Sequence, residues 1–325
     1  MPFLTRYLQR AAGVAAIFAC GIAGVVAQPT GTSQPIRMVV PFSPGSYTDN
    51  VARIVAPAMA ERLGATIIIE NRPGANGIIG ADHVAKAAPD GRTILVGGAS
   101  VNVINPGLYK SLPYDPIKDL VPVARIGLLP FLLVVHPDVP ARTLAELIDY
   151  AKQNPGRLAY ATPNAATLVG METFKRTAGI DILSVPYKSS PQAMTDLAGD
   201  HVQVLIADVA TAMPQIEGGK ARLLAVTMKT RSPLLPDVPP MSDEVEGFDL
   251  TAWTGLLAPG GTPPETVRRL ADALKAAVAD PAVAQSLASI GFDIQPLGPD
   301  EFGPVVRAEI ETYRQQIRDA GIEQQ

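Results

Sequence analysis

The chain has 325 residues, 47% hydrophobic, 18% charged and 5% aromatic, with 31 prolines, 28 glycines and one cysteine. That apolar content excludes a disordered chain, and a formal charge of −4 disfavours nucleic acid, whose binders carry a basic surface. A single cysteine excludes a disulfide framework and a Cys-rich zinc site, and the length suggests about two domains at ~100–200 residues each.

Residues 1–27 have the three parts of a secretory signal. Arg6 and Arg10 form a positive start, Ala11 to Val26 is an uncharged run of 16 residues, and Val25-Val26-Ala27 offers small residues before Gln28. A spanning helix wants ~20 strongly apolar residues, and this run is short and rich in Ala and Gly. Cleavage before Gln28 and a periplasmic destination are therefore expected. Cys20 follows Ile17-Phe18-Ala19, a poor lipidation signal because Phe18 is bulky. The mature chain of 298 residues would carry 25 basic against 31 acidic residues, a balance of −6, and no cysteine.

Beyond the signal, short β-branched runs alternate with amphipathic segments. Residues 36–42 read as a buried strand, followed by a helix with Val51, Val55, Met59 and Leu63 on one stripe and Pro57 as an expected kink. A strand at 65–70, a helix at 77–87 and a strand at 93–96 complete a βαβαβ pattern, which implies a parallel sheet with helices on its faces. Thr143 and Glu146 predict a capping box for a helix through residue 153. Strands follow at 157–161, 182–186, 202–207 and 221–227, with helices between. Thr262-Pro263-Pro264-Glu265 predicts a second capping box, opening a helix with the stripe Val267, Leu270, Leu274 and Val278. A last helix is expected over 300–319. Two runs, Val121 to His136 and Ala252 to Pro259, contain no helix and are expected to cross between lobes. The resulting division is a signal at 1–27, lobe one at 28–127 plus 250–325, and lobe two at 128–249.

A catalytic constellation is hard to assemble. His83, His136 and His201 have no metal-ligand spacing, and neither a P-loop nor a G-x-G-x-x-G turn is present, so no metal and no cofactor are expected. Gly98-Ala99-Ser100-Val101-Asn102 is a near miss to the hydrolase elbow, with Asn102 where the second glycine belongs. What recurs is a strand entering a polar turn that opens a helix, at Ser43 to Asp49, at Thr162 to Thr167 and at Asp208. Such turns gather free N–H groups, hydroxyls and positive helix ends at the carboxyl edge of a sheet, a ready anion site. Ser, Thr, Asn and Asp are also preferred helix caps, and a cap is the plainer reading of any one turn alone.

The run Val40-Pro41-Phe42-Ser43-Pro44-Gly45 with Asp49 and Arg53 resembles the start of the Bug family, extracytoplasmic solute receptors of tripartite tricarboxylate transporters. Collinear matches follow at Glu70-Asn71-Arg72-Pro73-Gly74-Ala75, Ala87-Ala88-Pro89-Asp90-Gly91, Leu112-Pro113-Tyr114-Asp115-Pro116, Val185-Pro186-Tyr187-Lys188, Leu224-Ala225-Val226-Thr227 and Trp253-Thr254-Gly255-Leu256. The resemblance implies an α/β protein of type II periplasmic-binding-protein fold, two α/β lobes with a ligand cleft between them. It implies capture of a small carboxylate (a di- or tricarboxylate, an acidic amino acid or an aromatic acid) and delivery to membrane components of the transporter by a monomer that is not an enzyme. The ligand-binding positions it implies are Ser43, Gly45, Ser46, Tyr47, Thr48 and Asp49 in lobe one, with Ser100, and Thr162, Asn164, Ala165, Thr167 and Asp208 in lobe two. Tyr187, Lys188 and Trp253 read as packing or closure residues. Ser46 replaces the family's usual glycine, and Ala207 stands where an aromatic residue commonly precedes Asp208, which suggests a wider pocket there. The alternatives are an exported hydrolase using Ser100 with a histidine, and a sensory receptor presenting ligand to a membrane kinase.

Overall fold

The alternating pattern folds into one mixed sheet flanked by helices. The computed structural model describes residues 34–232 and 235–325; the signal expected at 1–27 lies outside the described residues. In chain order the elements are β1 (Ile36–Val40), α1 (Tyr47–Leu63), β2 (Ile67–Asn71), α2 (Ile78–Ala85), β3 (Thr93–Gly98), α3 (Asn105–Leu108), β4 (Leu120–Val135), α4 (Leu144–Gln153), β5 (Ala159–Thr162), α5 (Ala165–Ala178), β6 (Leu183–Pro186), α6 (Ser190–Ala198), β7 (Val204–Asp208), α7 (Val209–Glu217), β8 (Arg222–Val226), β9 (Thr251–Pro259), α8 (Pro264–Val278), α9 (Pro281–Ser289), β10 (Asp293–Leu297) and α10 (Pro299–Asp319).

The sheet runs β2-β1-β3-β9-β4-β7-β5-β6, with β10 and β8 also paired to β4. Parallel pairing holds within β2-β1-β3 and within β6-β5-β7, as the βαβ pattern predicts. Between these groups β9 and β4 run antiparallel to their neighbours. They are the two helix-free runs, and a helix-free connection is what leaves them free of the parallel βαβ rule. β4 pairs with β9 from Leu120 to Pro130, then with β7 from Phe131 to Val135. Thr227 sits buried at that change of partner. Its Oγ1 accepts from the Phe131 N–H at 3.2 Å and donates to the Leu250 carbonyl at 2.7 Å.

The apolar stripes point where the pattern places them. Val51, Val55 and Met59 of α1 and Leu270 and Leu274 of α8 are buried in one core that runs on through Leu133 to Tyr160 and Phe174. α1 continues unbroken through Pro57, whose ring lies on the exposed side. Two cap expectations need correction. Glu146 accepts from the Arg142 N–H, one residue before the Thr143 cap, so only the Thr143 half of the box forms. Thr262 donates its hydroxyl to the Pro259 carbonyl at 2.7 Å, and α8 starts at Pro264 without a side-chain cap. β10, a further sheet strand, and α9 were not anticipated. β10 carries Gln295 and Pro296 outward and shows only Ile294 and Leu297 as an apolar signal.

Candidate functional site

The ends of β1, β3, β5 and β7 meet at a cavity of about 60 Å³. Ser43, Ser46, Tyr47, Thr48, Ser100, Asn164 and Asp208 line it, so the three turns singled out in the sequence face one space. Gly45, Asp49, Thr162, Ala165 and Thr167 stand behind the lining.

The first turn is shaped by Gly45, whose φ of 76° falls in the left-handed region. Ser46 has an ordinary extended backbone, φ −67° and ψ 159°, which any residue adopts. Its Oγ caps α1 by accepting from the Asp49 N–H at 3.3 Å. The N–H groups of Tyr47 and Thr48, one turn from any helical carbonyl, have no partner within the helix. Behind them Asp49 is almost wholly buried and forms a brace. It accepts from the Gly45 N–H at 2.9 Å, from Arg53 Nε at 2.8 Å and from Asn71 Nδ2 at 2.9 Å. Asn71 Nδ2 also reaches the Phe42 carbonyl at 3.0 Å. Burial pushes the Asp49 carboxyl up, but these donors outweigh it and hold the group below its ordinary range. The Tyr47 hydroxyl is buried without a hydrogen-bond partner; burial, then the nearby Asp208 and Asp293, keep it protonated.

The second turn is capped by Asn164, whose Oδ1 accepts from the Thr167 N–H at 3.0 Å, while the Thr167 hydroxyl returns to the Asn164 carbonyl at 2.9 Å. Thr162 Oγ1 donates to the Val185 carbonyl at 3.3 Å and ties β5 to β6. The Ala166 N–H, in the first turn of α5, donates to Ser100 Oγ at 3.3 Å. The Ala165 N–H precedes it and has no partner within the helix. In the third turn Asp208 is both the last residue of β7 and the cap of α7, its Oδ1 accepting from Thr211 N at 2.8 Å and Thr211 Oγ1 at 2.7 Å. Burial raises the Asp208 carboxyl, with the Thr211 donors pulling against it. Ala207 does not widen the cavity. Strand alternation turns it to the far face, where it packs with Leu205 and Val209.

Three lining features escape a reading of single residues. Trp253 lines the cavity, yet its indole N–H donates to Glu309 and its ring meets Phe302 edge-on at 4.9 Å. It is thus both a packing residue and an apolar wall. Lys188 and Ser190 also line the cavity, beside the cap Ser189 of α6. The signal was present in Lys188-Ser189-Ser190-Pro191, a fourth strand-to-helix turn. Among the described residues no histidine lines the cavity, so Ser100 has no imidazole base there. His136 lies at the other end of β4, with Nδ1 3.5 Å from Asp200 Oδ1 and 3.9 Å from Asp138 Oδ2. That nitrogen already accepts from the Asp138 N–H at 3.3 Å, and both carboxylates are exposed, which makes a poor metal site. Among the described residues no helix is long and apolar enough to cross a membrane.

A family model for the receptor of the tripartite tricarboxylate transporter family matches residues 51–321. The protein BugT of Bordetella pertussis is 33% identical over 309 residues, 94% of this chain and 95% of that one. Among solved structures, the Rhodopseudomonas palustris protein Rpa4515 with adipate is 33% identical with a TM-score of 0.87, covering 90% of this chain and 99% of that one. The periplasmic binding protein BugD is 33% identical with a TM-score of 0.85 over the same shares. Similarity of this extent fixes both the two-lobed binding-protein fold and the class, a solute receptor and not an enzyme. The chain belongs to the Bug family of tripartite tricarboxylate transporter receptors.

Proposed function

We propose that this protein is a periplasmic receptor, exported by residues 1–27, that captures a small carboxylate between its lobes and delivers it to the membrane components of a tripartite transporter. The observation that carries the reading is the convergence of the α1 and α5 N-termini, with the Ser43, Ser46, Thr48 and Ser100 hydroxyls, on one cavity that holds no arginine among the described residues. The Tyr47 and Thr48 N–H groups and the lining hydroxyls are the donors for a carboxylate, aided by the positive helix ends. A hydrogen bond to a charged group nets roughly 1.5–3 kcal/mol. Three or four of them reach the ~8 kcal/mol of micromolar binding before association costs are subtracted. Adipate in the Rpa4515 structure supports the ligand class.

Lobe one comprises residues 28–127 plus 250–325 and lobe two residues 128–249, joined through β4 and β9. The receptor acts as a monomer and needs no cofactor. Asp49 serves the site through the brace and not by touching ligand. Thermal-shift and calorimetric titration with mono-, di- and tricarboxylates, acidic amino acids and aromatic acids tests the reading. At least one should raise the melting temperature by mass action. No shift with any of them at millimolar concentration would overturn it.

A further inference from the structure

The lobe-two edge of the cavity carries an ordered row of charge. β6, β5 and β7 are adjacent parallel strands, and each ends at the cavity: β6 leads to Lys188, β5 to Asn164, β7 to Asp208. Thr162 pairs with Pro186, and the Tyr187 N–H donates to the Thr162 carbonyl at 3.1 Å, so the Lys188 turn is held directly beside the Asn164 turn. Strands lie about 4.8 Å apart, so the cationic and anionic ends stand about two strand spacings, ~10 Å, from each other. Lys188 is the one cation among the described lining residues and Asp208 the one anion. The lysine is exposed, with no carboxylate partner among the described residues.

We propose that Lys188 determines specificity by receiving a second anionic group of the ligand, so that the site selects dianions over monoanions. The inference rests on the carboxylate-receptor reading above and adds the direction in which the ligand lies. With one carboxylate at the Ser46–Asn164 grip, a second acidic group pointing towards β7 would meet the Asp208 carboxyl in a buried setting. Pointing towards β6, it meets the Lys188 ammonium, the Ser190 hydroxyl and the start of α6. A flexible lysine suits this place, because its single charge on a long stem follows diacids of different length. The chain as a whole is negative, so attraction of a dianion must come from local charge of this kind.

The test compares succinate, glutarate and adipate with their monomethyl esters by titration calorimetry. The wild-type protein should bind its preferred diacid about ten- to a hundredfold more tightly than the matching ester, the range of one charge-assisted contact. Lys188→Met should collapse that preference to within about threefold, and Lys188→Arg should restore most of it, with melting temperatures unchanged because the side chain is exposed. Equal binding of diacid and ester by the wild type would overturn the role of Lys188 while leaving the receptor reading standing. So would a Lys188→Met protein that loses both in equal proportion. Failure of every carboxylate to bind the wild type would instead remove the receptor reading on which this one rests.

Discussion

Ser100 Oγ accepts a hydrogen bond from the Ala166 N–H at 3.3 Å, joining the end of β3 to the first turn of α5 across the cavity wall. The serine side chain thus satisfies one of the four donors that a helix start leaves open. It is the only contact of its kind between these two elements among the side-chain hydrogen bonds of the described residues. Ser100→Ala should lower the stability of the ligand-free protein by about 0.5–1.5 kcal/mol in urea denaturation. It should change no ester hydrolysis, because the wild type should show none. Ester turnover that vanishes with Ser100→Ala would reinstate the hydrolase alternative.

The Asp49 brace makes a pH prediction. Its carboxyl is held below its ordinary range, so the folded state binds the proton less tightly than the unfolded chain does. The stabilisation is therefore fully present above the unfolded value of ~3.9 and is lost as pH falls through the lower folded value. Asp49→Asn should cost about 2 kcal/mol at pH 7, a figure typical of charge-assisted hydrogen bonds, with Arg53 half-exposed and its share screened. The deficit should shrink as pH falls below about 4. A deficit independent of pH across that range would show that the charge on Asp49 does not matter.

Trp253 is the sole tryptophan and lines the cavity, so its emission reports on the site directly. Its N–H donates to Glu309, whose carboxyl burial pushes up, with the indole donor and Arg125 pulling it back. Protonation of Glu309 should therefore alter Trp253 emission at a pH above the ordinary glutamate value of ~4.3. Glu309→Gln should abolish that transition. An acid transition that persists in the variant would assign it to another group.

Thr227→Val removes the hydroxyl that joins Phe131 and Leu250 at the point where β4 changes partner. The shape is kept but a buried acceptor and donor are lost, which should cost about 1–3 kcal/mol. If this point is a crossing between the proposed lobes, ligand affinity should fall as well. Chemical denaturation and calorimetry on the one variant measure both effects.

Much of this fold was legible because its core is periodic. Val51, Val55 and Met59 in α1, and Val267, Leu270 and Leu274 in α8, follow the helical stripe that burial demands. The helix-free runs announced β4 and β9, though a strand's partners and direction depend on distant chain and left no local trace. The site was legible in part. Ser46, Asn164 and Asp208 carry cap chemistry, and the cap geometry is what sets them at the cavity. Asp49 looked like one more polar residue of the same turn. Its burial against Arg53 and Asn71 depends on β2 lying beside β1, which residue spacing does not reveal. Lys188 reads from the sequence as a packing or closure residue, because its neighbour in space, Asn164, is distant in sequence and becomes adjacent only through the β5–β6 register.

The position of β9 has a consequence for biosynthesis. It lies between β3 and β4 in the sheet, yet β3 ends at Gly98 and β9 begins at Thr251. A chain emerging from the ribosome cannot close its central sheet until this late strand arrives, and contacts of such long separation form slowly. The parallel group β2-β1-β3 thus lacks its neighbour in the sheet until the chain has been made through Pro259.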